Sequence, residues 1–236
     1  MDIRRHQPRL GTRKLHYLLR QQPEPALHVG RDRLFQILRC SRLLVMPKRA
    51  YHKTTNSHHR FYRHPNLLKP GEKQVIACRP EQVWVADITY LPLRNGTAYV
   101  SLVTDAWSRK IVGYHVHESL HTYHVANALK MALASRQSTC PLVHHSDRGI
   151  QYCSKEYQAL HERHGVICSM TDGYDCYQNA LAERVNGILK MEYLLVKPAD
   201  IMQARKMVRE SVEIYNTQRP HQSLKYKTPD EVHRAF

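Results

Sequence analysis

Carboxylates occupy three places in this chain where acids are rarely tolerated. Val83-Trp84-Val85-Ala86-Asp87-Ile88-Thr89-Tyr90 is an apolar, β-branched run with Asp87 inside it. An unpaired charge in such a strand is expensive unless a cation or charged partner compensates it. Pro141-Leu142-Val143-His144-His145-Ser146-Asp147-Arg148-Gly149 is a second apolar run, stopping at a carboxylate just before a glycine. That pattern predicts a strand with Asp147 at its C-terminal tip. Asn179-Ala180-Leu181-Ala182-Glu183-Arg184-Val185-Asn186-Gly187-Ile188-Leu189-Lys190 reads as a helix carrying the third acid, Glu183. Together these acids ask for a metal. Mg²⁺ is hard, prefers oxygen donors and keeps several waters, so a few carboxylates plus a substrate phosphate complete its shell. Two such ions roughly 3.5–4 Å apart activate one oxygen and stabilise another during in-line displacement at phosphorus. Asp87 is expected between the ions, with Asp147 and Glu183 on either side.

The elements that must position these acids are legible as a strand-rich middle. Gln82–Pro92 predicts a first strand, and Asn95-Gly96 is a strong hairpin turn. Ala98–Thr104 pairs back and Arg109–Val116 makes a third strand. A helix follows over Tyr123–Ser135, then a strand at Leu142–His145, a helix at Lys155–His164 and a fifth strand at Val166–Met170. Asp105 also ends a strand and is expected to be a turn residue paired with Arg109 or another local donor. Thr171–Gln178 is polar and turn-rich and predicts a mobile loop feeding the Glu183 helix. Its Asp172 and Asp175 are expected to be solvated or capping carboxylates. Asn179 and Asn186 share the helical face of Glu183 and are placed to orient it or the substrate.

These motifs resemble a known family. Trp-Val-Ala-Asp-Ile-Thr-Tyr at 84–90, His-His-Ser-Asp-Arg-Gly-Ile-Gln-Tyr at 144–152 and Asn-Ala-Leu-Ala-Glu-Arg at 179–184 are similar to the DDE recombinases of the retroviral-integrase type. The nearest likeness is to the insertion-sequence transposases of the IS3 family, and it covers roughly residues 10–235. The 35 residues between Asp147 and Glu183 match the family's spacing. The resemblance implies an α/β fold with a ribonuclease-H-like integrase catalytic core, a mixed five-stranded sheet with helices, preceded by a small basic helical domain. It implies Asp87, Asp147 and Glu183 as the catalytic, metal-binding triad, with two Mg²⁺ ions as cofactor and Mn²⁺ able to substitute. It implies metal-dependent cleavage and strand transfer of DNA without a covalent enzyme intermediate. Lys190 matches the family's basic position on the triad helix, and Arg148 flanks Asp147 as a metal-site neighbour or DNA contact, as does His145. The family's retroviral members carry a His-His-Cys-Cys finger. Here His58, His59 and His64 lack the following cysteine pair, so structural zinc is not expected.

Charge separates the chain into unlike parts. Formal net charge is +16 over 236 residues, of which residues 1–80 hold +14 and residues 81–236 only +2. The first part is a polyanion binder, and the rest is a nearly neutral enzyme-like body. Residues 1–46 read as a basic DNA-binding region in which 10–46 predict two short helices, with Leu15, Leu18 and Leu19 on one face of the first and Val29, Leu34, Ile37 and Leu38 the apolar residues of the second. Pro23 and Pro25 separate them. They form either a basic hairpin or a helix-turn-helix reader, with Arg13, Lys14, Arg31, Arg33 and Arg39 available to DNA phosphates. Residues 47–80 read as a basic linker, in which Lys48, Arg49, Lys53, Arg60 and Arg63 interleave with Tyr51, Phe61 and Tyr62. Residues 81–197 form the catalytic core and 198–236 a tail, with an amphipathic helix over roughly 199–216. Arg219 and His221 in that tail touch phosphate or fix it against the core.

Nothing in the sequence points to a membrane. No signal peptide is expected, and no apolar run approaches the ~20 residues of a spanning helix. Six cysteines without CxxC pairing are expected as reduced thiols. The resemblance implies DNA as partner, a homo-oligomer, room for an upstream-frame partner protein or fusion, and a bacterial cytoplasmic, nucleoid-associated site of action. Two rival readings share these features: a metal-dependent nuclease on the same fold that cuts without joining, and an inactive transposase-derived DNA-binding protein.

Overall fold

In the computed structural model, which describes residues 2–22, 29–46, 64–172 and 179–235, the run around Asp87 is the central strand of a five-stranded sheet. β1 (Val83–Pro92) pairs antiparallel with β2 (Thr97–Asp105), which pairs antiparallel with β3 (Ile111–His117). On its other side β1 runs parallel to β4 (Leu142–Ser146), and β4 parallel to β5 (Val166–Met170). The order is β3-β2-β1-β4-β5. The Asn95-Gly96 turn closes with Gly96 at φ +97 and Leu93 carbonyl-paired through its N–H to Gly96 at 3.1 Å. That left-handed backbone is open to glycine at no steric cost.

Period-2 alternation along β1 divides its side chains between two cores. Trp84 and Ala86 pack under α4 (Thr122–Ser135) and α5 (Lys155–Arg163), with Leu129, Leu142 and Met170. Leu91 and Leu93 join the opposite core, with Val100, Val116, Val208 and Tyr215, against α6 (Ala180–Ile188) and α7 (Ile201–Thr217). Asp87 shares the odd parity and therefore faces α6. Beyond Ile188 the helix widens into a π-helical turn, Leu189–Tyr193. α4 lies directly on β3: a Cβ at Gly113 meets the Ala128 carbonyl oxygen at 2.1 Å and the Ala132 Cβ at 2.9 Å. Gly113→Ala must push the helix off the sheet, and a loss of about 1–3 kcal/mol is expected from such overpacking. Thermal denaturation checks this; an unchanged melting temperature would show that α4 retreats at no cost.

Both sheet edges are covered. Met170 donates its N–H to Pro65 at 3.2 Å and the Leu67 N–H reaches Ser169 Oγ at 2.9 Å, so residues 64–67 dress the β5 edge instead of spanning solvent as a linker. The Asn216 side chain bonds Ile111 twice, accepting its N–H at 2.9 Å and donating to its carbonyl at 3.0 Å. Residues 47–63, which carry Lys48, Arg49, Lys53, Arg60, Arg63 and the three rings among them, lie outside the described residues, as do Pro23, Pro25, His58, His59 and most of the loop before α6. The five cysteines within the described residues are free thiols.

Asp105 is more than a turn residue. Fully buried, it accepts the N–H groups of Glu81 (2.7 Å), Trp107 (3.1 Å) and Ser108 (2.7 Å) and the Ser108 hydroxyl (2.8 Å). The local-donor alternative holds, while the Arg109 guanidinium donates instead to the Ala106 carbonyl.

The basic helices α1 (Asp2–His6), α2 (Thr12–Arg20) and α3 (Arg31–Cys40) enclose a small cluster of Leu10, Leu15, Leu34 and Leu38. Residues 21–30 connect α2 to α3, a longer span than the three- or four-residue turn of a simple helix-turn-helix. The cluster meets the tail and the π-helical turn at defined points. Gln7 Nε2 donates to the Gln218 carbonyl at 3.1 Å, Lys14 pairs with Glu192 at 3.8 Å, and Tyr17 stacks on Tyr226 with centroids 4.7 Å apart. Lys225 and Tyr226 are consecutive left-handed residues, at φ 53 and 65. Each costs about 1–2 kcal/mol for a side chain with a Cβ. The last helix, α8 (Pro229–Arg234), starts from a Thr228–Glu231 capping box with Pro229 in its first turn, which accounts for the Thr-Pro pair in the sequence.

Candidate active site

The parallel register of β1 and β4 brings the first two acids together. Val83 lies beside Val143, Trp84 beside His144 and Val85 beside His145. Continued two residues further, the same offset sets Asp87 beside Asp147, just past the last residue of β4. Gly149 keeps Asp147 in its turn by donating its N–H to Oδ1 at 2.9 Å; a Cβ there would stand 3.0 Å from that same oxygen. From above, α6 reaches down with two amides. Asn186 Nδ2 donates to Asp87 Oδ2 at 2.7 Å and Asn179 Nδ2 to the Ala86 carbonyl at 2.9 Å. The Ile88 N–H takes the other Asp87 oxygen at 2.9 Å. The expected orienting role of these asparagines therefore has a definite geometry: they fasten α6, and with it Glu183, to β1.

Electrostatics mark the cluster as incomplete on its own. Burial pushes the Asp87 carboxyl up to about 7 and the Asp147 charge adds to the rise, against the Asn186 and Ile88 hydrogen bonds; Glu183 contributes a little more. Glu183, exposed in the first turn of α6, is also raised, by burial and then by Asp147. Among the described residues no three Asp, Glu, His or Cys side chains are drawn into a closed metal cage. Glu183 is turned to solvent. The donor set is all carboxylate oxygen, one member of it held half-protonated near neutral pH. This fits a hard divalent ion, which needs only one or two protein carboxylates beside its waters and substrate.

Other expected residues fall into distinct places. Lys190, in the π-helical turn, is half-buried; burial lowers its pKa while the Asp87 charge raises it, so it stands within the field of the site. Arg148 is 4.0 Å from Asp172, which Lys69 also holds at 3.0 Å, so Asp172 is engaged by cations rather than joining the triad. His145 is fully buried with Nδ1 2.8 Å from Ser169 Oγ, which makes it a packing residue between β4 and β5 and no DNA contact. Arg13, Arg31, Arg33 and Arg39 are exposed on α2 and α3, with Arg31 paired to Asp32 at 2.9 Å, whereas Lys14 points inward to Glu192. Arg219 is 3 % exposed and grips Glu192 through two bonds of 2.7 Å. It fixes the tail to the π-helical turn. Sequence reasoning attached no role to Tyr152, whose buried hydroxyl has no partner among the described residues. It packs in the core with Trp84, Ala86 and Met170, and burial raises its pKa well above the usual value, with Tyr157, Asp147 and Asp87 raising it further.

Family models described as integrase core domain match residues 77–176 and 164–229. In fold the chain is similar to the HTLV-2 integrase catalytic core (TM-score 0.53, 16% identity, 67% of this chain and 100% of that one). It is also similar to a chain of the simian T-cell lymphotropic virus intasome (TM-score 0.58, 17% identity, 97% and 72%). The sheet and its flanking helices thus have the ribonuclease-H-like fold of integrase catalytic cores. In sequence it is 38% identical over 216 residues to the uncharacterized 31 kDa protein of insertion element IS600 from Shigella sonnei, covering 91% of this chain and 77% of that protein. It is 34% identical to the IS629 transposase of the same organism, covering 70% and 55%, and 36% identical to transposase InsF of IS3fB from Escherichia coli K12, covering 66% and 53%. The chain spans about half the length of the latter two. It belongs to the IS3 family of insertion-sequence transposases, the DDE enzymes of DNA transposition. No helix among the described residues is long and apolar enough to cross a membrane.

Proposed function

We propose that this chain cuts DNA at the ends of an insertion sequence and joins the freed 3′ ends to a target, using Asp87, Asp147 and Glu183 as metal ligands. The observation that carries the reading is the approach of Asp147, just past the end of β4, to Asp87 on the adjacent parallel β1 beneath the Glu183 helix, where the Asp147 charge helps raise the Asp87 carboxyl to about 7. Two divalent ions, Mg²⁺ or Mn²⁺ in its stead, supply activation of the attacking oxygen and stabilisation of the leaving 3′ oxygen. The chain's own groups do the rest. Asp87 would hold a metal in its ionised form and is oriented by Asn186, and the Gly149 turn holds Asp147. Lys190 meets the charge of a phosphate beside Asp87. Water is the nucleophile for cleavage and the exposed 3′-OH for joining; the same site serves both because only the nucleophile changes.

Support for Mg²⁺ and for assembly comes from the fold neighbours: the HTLV-2 core was solved in complex with magnesium, and the simian viral chain within an intasome. We assign residues 1–46 to DNA binding through Arg13, Arg31, Arg33 and Arg39, 81–197 to catalysis and 198–236 to bracing. A homo-oligomer, with an upstream-frame partner or fusion, acts at the nucleoid in the bacterial cytoplasm.

The test is cleavage and joining of a labelled duplex bearing the element's end, with Mg²⁺ or Mn²⁺, for wild type, Asp147→Asn and Glu183→Gln. Both activities are expected in wild type and lost in both variants, with DNA binding retained. Nicking without joining would make the chain a nuclease, and an inert wild type that still binds would make it a DNA-binding remnant.

A further inference from the structure

A cavity of about 180 Å³ lies on the flank of α6 that Leu181, Val185 and Ile188 share, turned away from Asn186 and Asp87. Cations enter it from four parts of the chain: Lys14 from α2, Arg109 from the β2–β3 turn, Arg184 from α6, and Arg219 beside His221 from the tail. Glu192 is spent on Arg219 at 2.7 Å and Lys14 at 3.8 Å, while Arg109 donates to the Ala106 carbonyl and feels the charge of Asp105. Arg184 makes no hydrogen bond or ion pair among the described residues. His221 Nε2 lies 3.1 Å from Arg219 Nη1 and accepts from it, which leaves Nδ1 as a donor. Gln222 and Ser223 add neutral polar groups to the rim.

The groups feel one another. Lys14 is pushed down to about 8, by burial first and then by Arg219, with Arg184 adding to it against Glu192. Burial, then Arg219, Lys14, Arg109 and Arg184, hold His221 uncharged. Gathering like charges from distant parts of the chain stabilises nothing by itself; an anion in their midst adds an attraction to each cation that offsets their mutual repulsion. The space equals about six waters at roughly 30 Å³ each, room for one phosphate group with a few waters left.

We propose that this cavity is a phosphate site, separate from the carboxylate cluster, in which Lys14, Arg109, Arg184 and Arg219 hold one tetrahedral oxyanion and so tie α2 and the tail to the back of the Glu183 helix. A backbone phosphate of bound DNA and free inorganic phosphate offer the same chemistry. The first of these sources rests on the transposase reading and the second does not.

The experiment uses the full chain, metal-free, with Lys14→Met and Arg184→Gln. Inorganic phosphate is expected to raise the wild-type melting temperature by several degrees over chloride at equal ionic strength, and to raise neither variant's. Without phosphate Arg184→Gln should melt no lower than wild type, since it removes a repelling cation that has no hydrogen bond or ion pair among the described residues. Arg184, exposed and unpaired, keeps the test open if Lys14→Met fails to fold. Salt dependence of duplex binding then separates the sources. A slope smaller by about 0.9 in the variants assigns the site to a DNA phosphate, and an unchanged slope with the phosphate shift lost assigns it to the free anion. No phosphate-specific shift in wild type together with an unchanged slope in Arg184→Gln would overturn the proposal. The phosphate arm needs neither DNA nor metal, so a failed joining assay leaves it standing.

Discussion

Asp87→Asn is expected to make the metal-free protein more stable at pH 8 while abolishing cleavage and joining. The folded-state pKa of Asp87 is raised from 3.8 to about 7. Above pH 7 the native state therefore carries an ionised group that it disfavours relative to the unfolded chain. That penalty fades as pH falls through 7 and is gone below about 4, where both states are protonated. At 1.36 kcal/mol per unit the full shift corresponds to at most about 4 kcal/mol, and about 2–4 kcal/mol is the expected gain in the variant at pH 8. The Asn186 amide keeps an oxygen to bond. Mg²⁺ should raise the wild-type melting temperature at pH 8 and leave the variant nearly unmoved. Loss of several kcal/mol of transition-state charge stabilisation predicts a fall in joining of about 10³-fold or more. Melting curves at pH 8 and pH 5, with and without Mg²⁺, decide it. A variant less stable than wild type at pH 8, or one equally stabilised by Mg²⁺, would remove Asp87 from the metal site.

Asp105→Ala is expected to be the most damaging single change away from the site. The Glu81, Trp107 and Ser108 N–H groups and the Ser108 hydroxyl all converge on the Asp105 carboxylate in a fully buried position. Truncation strands buried donors, each worth about 1–3 kcal/mol, and a total near 3–5 kcal/mol is expected. Asp105→Asn should recover part of this. Its remaining oxygen can serve the donors now on Oδ1, while its NH₂ faces the Glu81 N–H that Oδ2 accepts. Urea unfolding should rank wild type above Asp105→Asn above Asp105→Ala, and an unchanged midpoint in the alanine variant would refute the account.

The contrast between Asp87 and Asp105 shows what the sequence carries. Asp87 stands out because a period-2 apolar strand flanks it on both sides, and the strands around it are equally legible: Val166–Met170 forms β5 to the residue, and Leu142–Ser146 outruns its expectation by one. The pairing of Asp87 with Asp147 follows once β1 and β4 are parallel neighbours, which alternating strands and helices imply. Asp105 looks like an ordinary turn acid, since its donors include the N–H of Glu81, 24 residues away. The edge cover at Pro65, the double bond of Asn216 to Ile111 and the Arg219–Glu192 grip are likewise made between residues far apart in the chain. No local periodicity announces such contacts. Local patterning fixes elements and their faces, and long-range side-chain bonds then decide which polar residues are structural.

The junction of α2 with the tail also sets a schedule for synthesis. Gln7, Lys14 and Tyr17 meet Gln218, Arg219 through Glu192, and Tyr226. Some 200 residues of translation separate these partners, about 10–40 s at bacterial-scale elongation of roughly 5–20 residues per second. During that interval the basic helices are out of the ribosome with nothing to dock against, their cationic faces presented before the core and tail that later brace them are complete.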